Sequence, residues 1–298
     1  MAIPIIFVHK GNPYFLRAVL EQAKRTNPCS EIILLGDETN KSFSFVRHFC
    51  INDYFESAEE FSKVYQHHSP NPFGYELFCF QRWFVLNDFV EKELGADSQF
   101  FYCDTDTLLF EDLSSEFQKY NKYDMTICRT GTPCFTFFNV GVIKKFAEFI
   151  FNRYATAEGK RMISAYVKDL KAKQRRYGIS DMTAFSAYEY AHPSLVLRVD
   201  LPYYKYCFCH NILDEADGYQ MCGQYIKIRI QGNAPYGFYL KSNEWVRFLG
   251  IHFQGSAKKI MYKYLPFPDR MIFLSKYYYQ KFINKIISVP LKSGPVKY

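Results

Sequence analysis

The stretch that decides the fold is Phe100-Phe101-Tyr102-Cys103-Asp104-Thr105-Asp106. A short aromatic run that ends in two acids reads as a buried strand leaving the edge of a sheet. In extended backbone, residues two apart point to one side, so both carboxylates are expected to face one ligand. Ligands of open α/β sheets sit beyond the carboxyl ends of the strands, which is where this pair falls. Two hard oxygen donors suit Mn2+ or Mg2+, and such an ion holds a diphosphate by its oxygens. A bare Asp-x-Asp can equally be a solvated acidic turn.

Working outward, residues 3–8 read as a strand, 13–26 as a helix and 32–35 as a second strand closed by Gly36 and Asp37. Strand, helix, strand over so short a span opens a parallel α/β sheet. A long helix is expected over 75–94, with Phe78, Arg82, Val85 and Phe89 near one face. Strands are expected over 125–128 and 135–143, and mainly helix over 146–173, becoming strongly basic towards Arg175 and Arg176. Residues 195–199, 225–230 and 246–253 are strand-like, and 269–287 can form a helix without a single clean apolar stripe. The expected fold class is α/β, a mixed sheet flanked by helices. Pro266 and Pro268 mark a boundary, giving a catalytic domain over 1–265 and a basic aromatic segment over 266–298.

Composition limits the function classes. The chain has 298 residues, 30 Phe, 25 Tyr and a formal charge of +7. Nine of the basic residues and a single acid, Asp269, lie beyond residue 250, so the first 250 residues are near neutral. A dispersed nucleic-acid surface would not distribute charge in this way, and no nucleic-acid partner is expected. Nine cysteines without framework spacing fit a reducing compartment. Cys207, Cys209, His210 and Cys222 form a weak zinc pattern that lacks paired knuckles. The apolar run at the amino terminus is too short for an export signal or a membrane span.

His252 strengthens the carboxylate pair. It stands in His252-Phe253-Gln254-Gly255-Ser256-Ala257-Lys258, a strand end followed by a glycine turn and a lysine. Imidazole is a reasonable third ligand and favours Mn2+. Gly255 would let backbone approach a phosphate, and Lys258 could neutralise it.

Phe101-Tyr102-Cys103-Asp104-Thr105-Asp106 resembles the aromatic-x-Asp-x-Asp strand end of GT-A glycosyltransferases, particularly glycosyltransferase family eight. The segment from His252 to Lys258 is similar to that family's His-Phe-x-Gly-x-x-Lys, and Phe138-Asn139-Val140-Gly141-Val142 resembles its Phe-Asn-Ser-Gly-Val. The resemblance implies a GT-A fold, with Asp104, Asp106 and His252 holding Mn2+ and Lys258 on the donor diphosphate. It implies Asn139 near the transferred sugar, and His9, Asn12 and Asp37 in the nucleotide site. It also implies that Arg82 faces the donor and that Asp181 serves donor sugar or acceptor. Departures are Lys259-Ile260 in place of Pro-Trp, Ser180-Asp181-Met182 in place of Asp-Gln-Asp, and Val140 in place of serine.

The activity implied is transfer of a sugar from a nucleotide-diphosphate sugar, a UDP-sugar by resemblance, to a glycan or lipid-linked acceptor. Retention of anomeric configuration is implied, and Asp181 would act as base if the reaction inverts. Bacterial surface polysaccharide or lipooligosaccharide synthesis is the expected setting. The expected location is cytoplasmic, peripheral on the inner membrane face if the aromatic, lysine-rich tail engages anionic lipid. The tail could instead pack on the catalytic domain.

Competing readings are a haloacid-dehalogenase-type phosphohydrolase using Asp104 and Asp106, and a non-catalytic carbohydrate- or nucleic-acid-binding protein. Leu213-Asp214-Glu215-Ala216-Asp217 is read as an exposed acidic turn, because no phosphate loop accompanies it.

Overall fold

The computed structural model describes residues 2–173 and 178–287. The chain opens with β1 (Ile5–Val8), α1 (Leu16–Thr26), β2 (Ile32–Gly36) and β3 (Arg47–Cys50), then α2 (Glu56–Val64) and α3 (Phe73–Phe89). Next come β4 (Phe100–Cys103), β5 (Thr107–Leu109), β6 (Met125–Ile127) and β7 (Phe135–Phe138). Three helices follow, α4 (Val142–Ala155), α5 (Ala157–Ala172) and α6 (Asp181–Ala191). The later strands are β8 (Val196–Arg198), β9 (Tyr206–Cys209), β10 (Met221–Cys222), β11 (Tyr225–Ile226), β12 (Ile228–Gln231), β13 (Ala234–Tyr239) and β14 (Glu244–His252), before α7 (Phe267–Ile287).

Seven strands form the main sheet in the order β3-β2-β1-β4-β7-β6-β8. The β3-β2-β1-β4 half is parallel, and β7 runs antiparallel to both β4 and β6. Side chains alternate between two cores, as period-two geometry requires. Ile5, Phe7, Leu34 and Phe101 pack on one face, against α1. Ile6, Leu35, Phe100 and Tyr102 pack on the other, against α3, α4 and α6. Because the central strands are covered on both sides, every residue of β1, β2 and β4 is buried.

A second sheet, β12-β13-β14-β5 with β9 added to β14, is joined to the first through the short link from β4 to β5. β5 pairs antiparallel with β14, setting His252 opposite Thr107. That pairing places a residue from late in the chain next to Asp106.

Three expected elements differ. Residues 135–143 are not one strand, because Asn139 bonds to its neighbours' carbonyls and Gly141, at φ +67°, starts α4. Residues 146–173 are two helices, because Thr156 leaves helical geometry and its hydroxyl caps α5 by accepting from Gly159 N–H. Residues 225–230 divide between β11 and β12, which pair with different strands.

α7 lies against α1. Phe273 is 1% exposed, Tyr14 makes edge contacts with Phe273 and Tyr277, and Arg25 pairs with Asp269. Its outward side carries exposed Phe267, Met271, Tyr278, Tyr279, Phe282 and Ile286. Among the described residues no helix is long and apolar enough to cross a membrane. Arg175, Arg176 and the tail beyond residue 287 lie outside the described residues.

Candidate functional site

Asp104 and Asp106 follow β4, on the edge of the sheet where the parallel strands end. They do not lie in extended backbone as expected. Asp104-Thr105-Asp106 is a tight connection between β4 and β5, so the two carboxylates meet different walls of one cleft. Asp104 turns towards α3, where its Oδ1 accepts from Arg82 Nη1 at 2.7 Å and from the Tyr102 hydroxyl at 2.7 Å. Asp106 turns towards β14. Its Oδ1 is 3.1 Å from His252 Nε2, and its Oδ2 is 2.6 Å from Lys258 Nζ. Even so, one ligand atom from each of Asp104, Asp106 and His252 lies within 4.8 Å of the others.

The electrostatics follow from this crowding. Burial alone would raise the Asp106 carboxyl, but His252 and Lys258 hold it well below the usual carboxylate range. Burial alone would lower His252, and Asp106 instead raises it above 6.5. Nδ1 of His252 donates to the His210 carbonyl at 2.6 Å, which fixes the ring and leaves Nε2 directed at the carboxylates. Two carboxylates and an imidazole with one nitrogen already committed are a donor set that fits a divalent cation.

The loops after β1 and β2 form the adjoining wall. His9 Nδ1 meets the Thr105 hydroxyl at 2.7 Å, and burial lowers the pKa of the ring. Asp37 Oδ2 accepts from Gly11 N–H at 2.6 Å, and Asn12 Nδ2 donates to the Thr39 carbonyl. Fully buried Asn40 ties the loops together by donating to the carbonyls of His9 and Gly11 while accepting from Asp37 N–H. Gly36 is required there, since a Cβ would stand 2.1 Å from Asn40 Oδ1. Gly255, at φ +56°, begins the helical turn that carries Lys258 and borders open space.

Asp181 reaches the site from α6. Its Oδ2 accepts from Arg82 Nη2 at 2.6 Å and from Trp83 Nε1 at 3.1 Å, and its Oδ1 from Met182 N–H. Arg82 thus clamps Asp104 and Asp181 together beneath the cleft. Burial raises the Asp181 carboxyl, against the opposing pull of Arg82.

Asn139 is a correction. The antiparallel register pairs Cys103 with Phe135 and Phe100 with Phe138, so Asn139 stands past the opposite end of β4 from Asp104. At ~3.3 Å per residue the separation is roughly 15 Å. Its amide donates to the carbonyls of Asn121 and Tyr123 and accepts from Gln99, which makes it a loop brace. The zinc pattern is not assembled either. Cys222 is exposed, Cys207 bonds to the Tyr219 hydroxyl, and His210 lies among Asp200, Asp214 and Asp217. That last group is an ion-pair cluster, because Arg198 and Arg129 already occupy its carboxylates. The acidic turn at 213–217 is therefore tied down by these partners.

Several site residues escaped the sequence reading. Thr105, Tyr102, Trp83 and Asn40 are ordinary strand, helix or turn residues by type, and only their neighbours give them a role. Lys10 lies over the rings of Phe55 and Phe78 at 4.7 and 4.5 Å, next to His9. The one available signal for Asn40 was its place in a turn directly after β2.

Neither a protein-family model nor a curated protein sequence matches the chain. Solved structures do. Mouse xyloside xylosyltransferase 1, in its apo form, is similar with a TM-score of 0.50 at 8% identity, over 67% of this chain and 85% of that one. The galactosyltransferase LgtC, solved with donor and acceptor sugar analogues, is similar with a TM-score of 0.47 at 14% identity, over 85% and 87%. Together with the mixed sheet and its flanking helices, the xylosyltransferase likeness shows that the chain has a GT-A fold.

Proposed function

We propose that this chain is a metal-dependent glycosyltransferase that moves a sugar from a nucleotide-diphosphate sugar, a UDP-sugar, to a glycan or lipid-linked acceptor. The observation that carries the reading is the convergence of Asp104, Asp106 and His252, with Lys258 on Asp106. This is a charged cleft at the end of parallel strands, suited to a diphosphate and its counterion. The solved transferases of the same fold, and the family-eight resemblance of the His252 segment, agree with it.

Asp104, Asp106 and His252 would hold Mn2+, with Mg2+ as the alternative. The ion, when bound, would stabilise negative charge on the departing diphosphate. The rest is work for the chain's own side chains. Lys258 has a short reach from Asp106 to a bound diphosphate and would neutralise its growing charge. His9, Asn12 and Asp37 line the wall proposed for the nucleotide, and Gly255 gives a phosphate access to backbone. Arg82 keeps Asp104 aimed and balances the charge of Asp181. Retention is proposed on the family-eight resemblance; Asp181, held by Arg82, Trp83 and Met182, would be the base if the reaction inverts. The outward aromatics of α7, flanked by Lys281 and Lys285, are proposed as a peripheral contact with anionic membrane.

The test is UDP release from a panel of UDP-sugars with Mn2+, with and without chelator, in the native protein and an Asp104→Ala, Asp106→Ala variant. Metal-dependent release with one sugar, lost in the variant, supports the reading. Cleavage of phosphate esters with no UDP-sugar bound would replace it with a phosphohydrolase.

A further inference from the structure

A cavity of about 510 Å³ lies away from the carboxylate cleft. Tyr206, on its wall, pairs with Arg247 of β14, five residues before His252 at the strand's end. At ~3.3 Å per residue, that sets Tyr206 roughly 15 Å along the strand from His252, with Leu249 on the nearer wall roughly 10 Å from it. Five tyrosines line it, Tyr120, Tyr123, Tyr203, Tyr204 and Tyr206. Tyr203 and Tyr204 stand on its rim, 59% and 79% exposed. Tyr204 and Lys205 take φ of +46° and +69°, so the hairpin that presents these rings adopts a conformation bulky side chains rarely occupy.

The charged residues on the lining are all cations, Lys119, Lys122 and Arg198. Lys119 is paired with Glu116 and donates to the Tyr206 hydroxyl, and Arg198 is paired with Asp200. Lys122 is exposed, lies over the Tyr123 ring at 5.1 Å and has no carboxylate partner among the described residues. A tyrosine offers an apolar face and a hydroxyl edge, as a pyranose ring does. Leu197, Val199 and Leu201 add apolar surface, but an alkyl chain filling the cavity would leave the Lys122 ammonium with no partner, whereas an anionic group would pair with it. A single strand of nucleic acid needs a basic groove that tracks successive phosphates, whereas this cavity is compact and has one uncompensated lysine.

We propose that this cavity is a second carbohydrate site that binds an anionic oligosaccharide, with pyranose faces on Tyr203 and Tyr204 and a carboxylate on Lys122. It is of small-ligand size, and it does not depend on the chemistry assigned to Asp104 and Asp106.

The test is calorimetric titration of the full chain with tetragalacturonic acid, with maltotetraose as the neutral control and an oligothymidylate as the nucleic-acid control. Saturable binding of the acidic tetramer is expected. Tyr204→Ala and Lys122→Ala, both exposed changes, should each weaken it roughly tenfold. UDP with Mn2+, and the Asp104→Ala, Asp106→Ala variant, should leave it unchanged. Absence of saturable binding overturns the proposal. So does equal binding of maltotetraose, tighter binding of the oligothymidylate that is lost in the same two variants, or competition by UDP.

Discussion

Replacing Lys258 by methionine should tighten metal binding in the absence of nucleotide and weaken it in the presence of nucleotide. In the free protein Lys258 Nζ is 2.6 Å from Asp106 Oδ2, and the two side chains are 26% and 15% exposed. A hydrogen bond to a charged group is worth roughly 1.5–3 kcal/mol, and partial solvent access reduces this to about 1–2 kcal/mol. An incoming cation must loosen that contact before it can use Asp106. Lys258→Met keeps the apolar stem, removes the competing ammonium, and should raise Mn2+ affinity by roughly 5- to 30-fold. With UDP present the native lysine can transfer to the diphosphate, so metal and nucleotide reinforce each other. By linkage the same coupling appears in the affinity of UDP for the metal-loaded protein. The variant should lose most of that coupling. Mn2+ titrations by electron paramagnetic resonance, with and without UDP, measure both quantities. If Lys258→Met weakens Mn2+ binding without nucleotide, or leaves the coupling intact, the proposed exchange of partners is wrong.

Metal binding should also depend on pH through His252. Asp106 raises this imidazole above 6.5 in the free protein, and a ligand nitrogen must be unprotonated, so Mn2+ affinity should increase as pH rises through that raised value. Calorimetry in buffers of different ionisation enthalpy should detect a released proton below it, and a pH-independent affinity would contradict the assignment. Arg82→Leu should lower stability by roughly 3–5 kcal/mol, because it strands the buried carboxylate of Asp181 and frees Asp104. Urea unfolding reads this, and Asp181→Leu in the same chain should restore part of the loss. Asn139→Ala should lower stability by about 1–2 kcal/mol through its lost brace, yet leave UDP-sugar binding unchanged, which a binding isotherm beside the melt would check.

Much of the parallel half of the fold was legible because fully buried strands advertise themselves. The runs at Ile5 and Ile32 bracket an amphipathic helix, and the aromatic run before Asp104 has no polar interruption. Side chains that carry charge at strand ends were legible too, since Asp104, Asp106, His252 and Lys258 all reach one cleft. Their mutual arrangement was not. It depends on β5 pairing with β14 across most of the chain, a contact that local periodicity does not encode. Asn139 misled for a related reason. A short Phe-Asn-x-Gly pattern looks alike at either end of a strand, and only the register of β7 against β4 says which end it occupies. The divided helix at Thr156 had only a threonine able to cap a helix start as its signal, and the apolar spacing on either side ran through it.

The central claim is that Asp104, Asp106 and His252 form a single cation site that grips a nucleotide diphosphate. The most direct measurement is Mn2+ bound per chain in the presence of UDP, compared among the native protein, the Asp104→Ala, Asp106→Ala variant and His252→Ala. One UDP-dependent Mn2+ in the native protein, lost in the first variant and severely weakened in the second, is the expected result. UDP-supported Mn2+ binding that survives in both variants would contradict the claim.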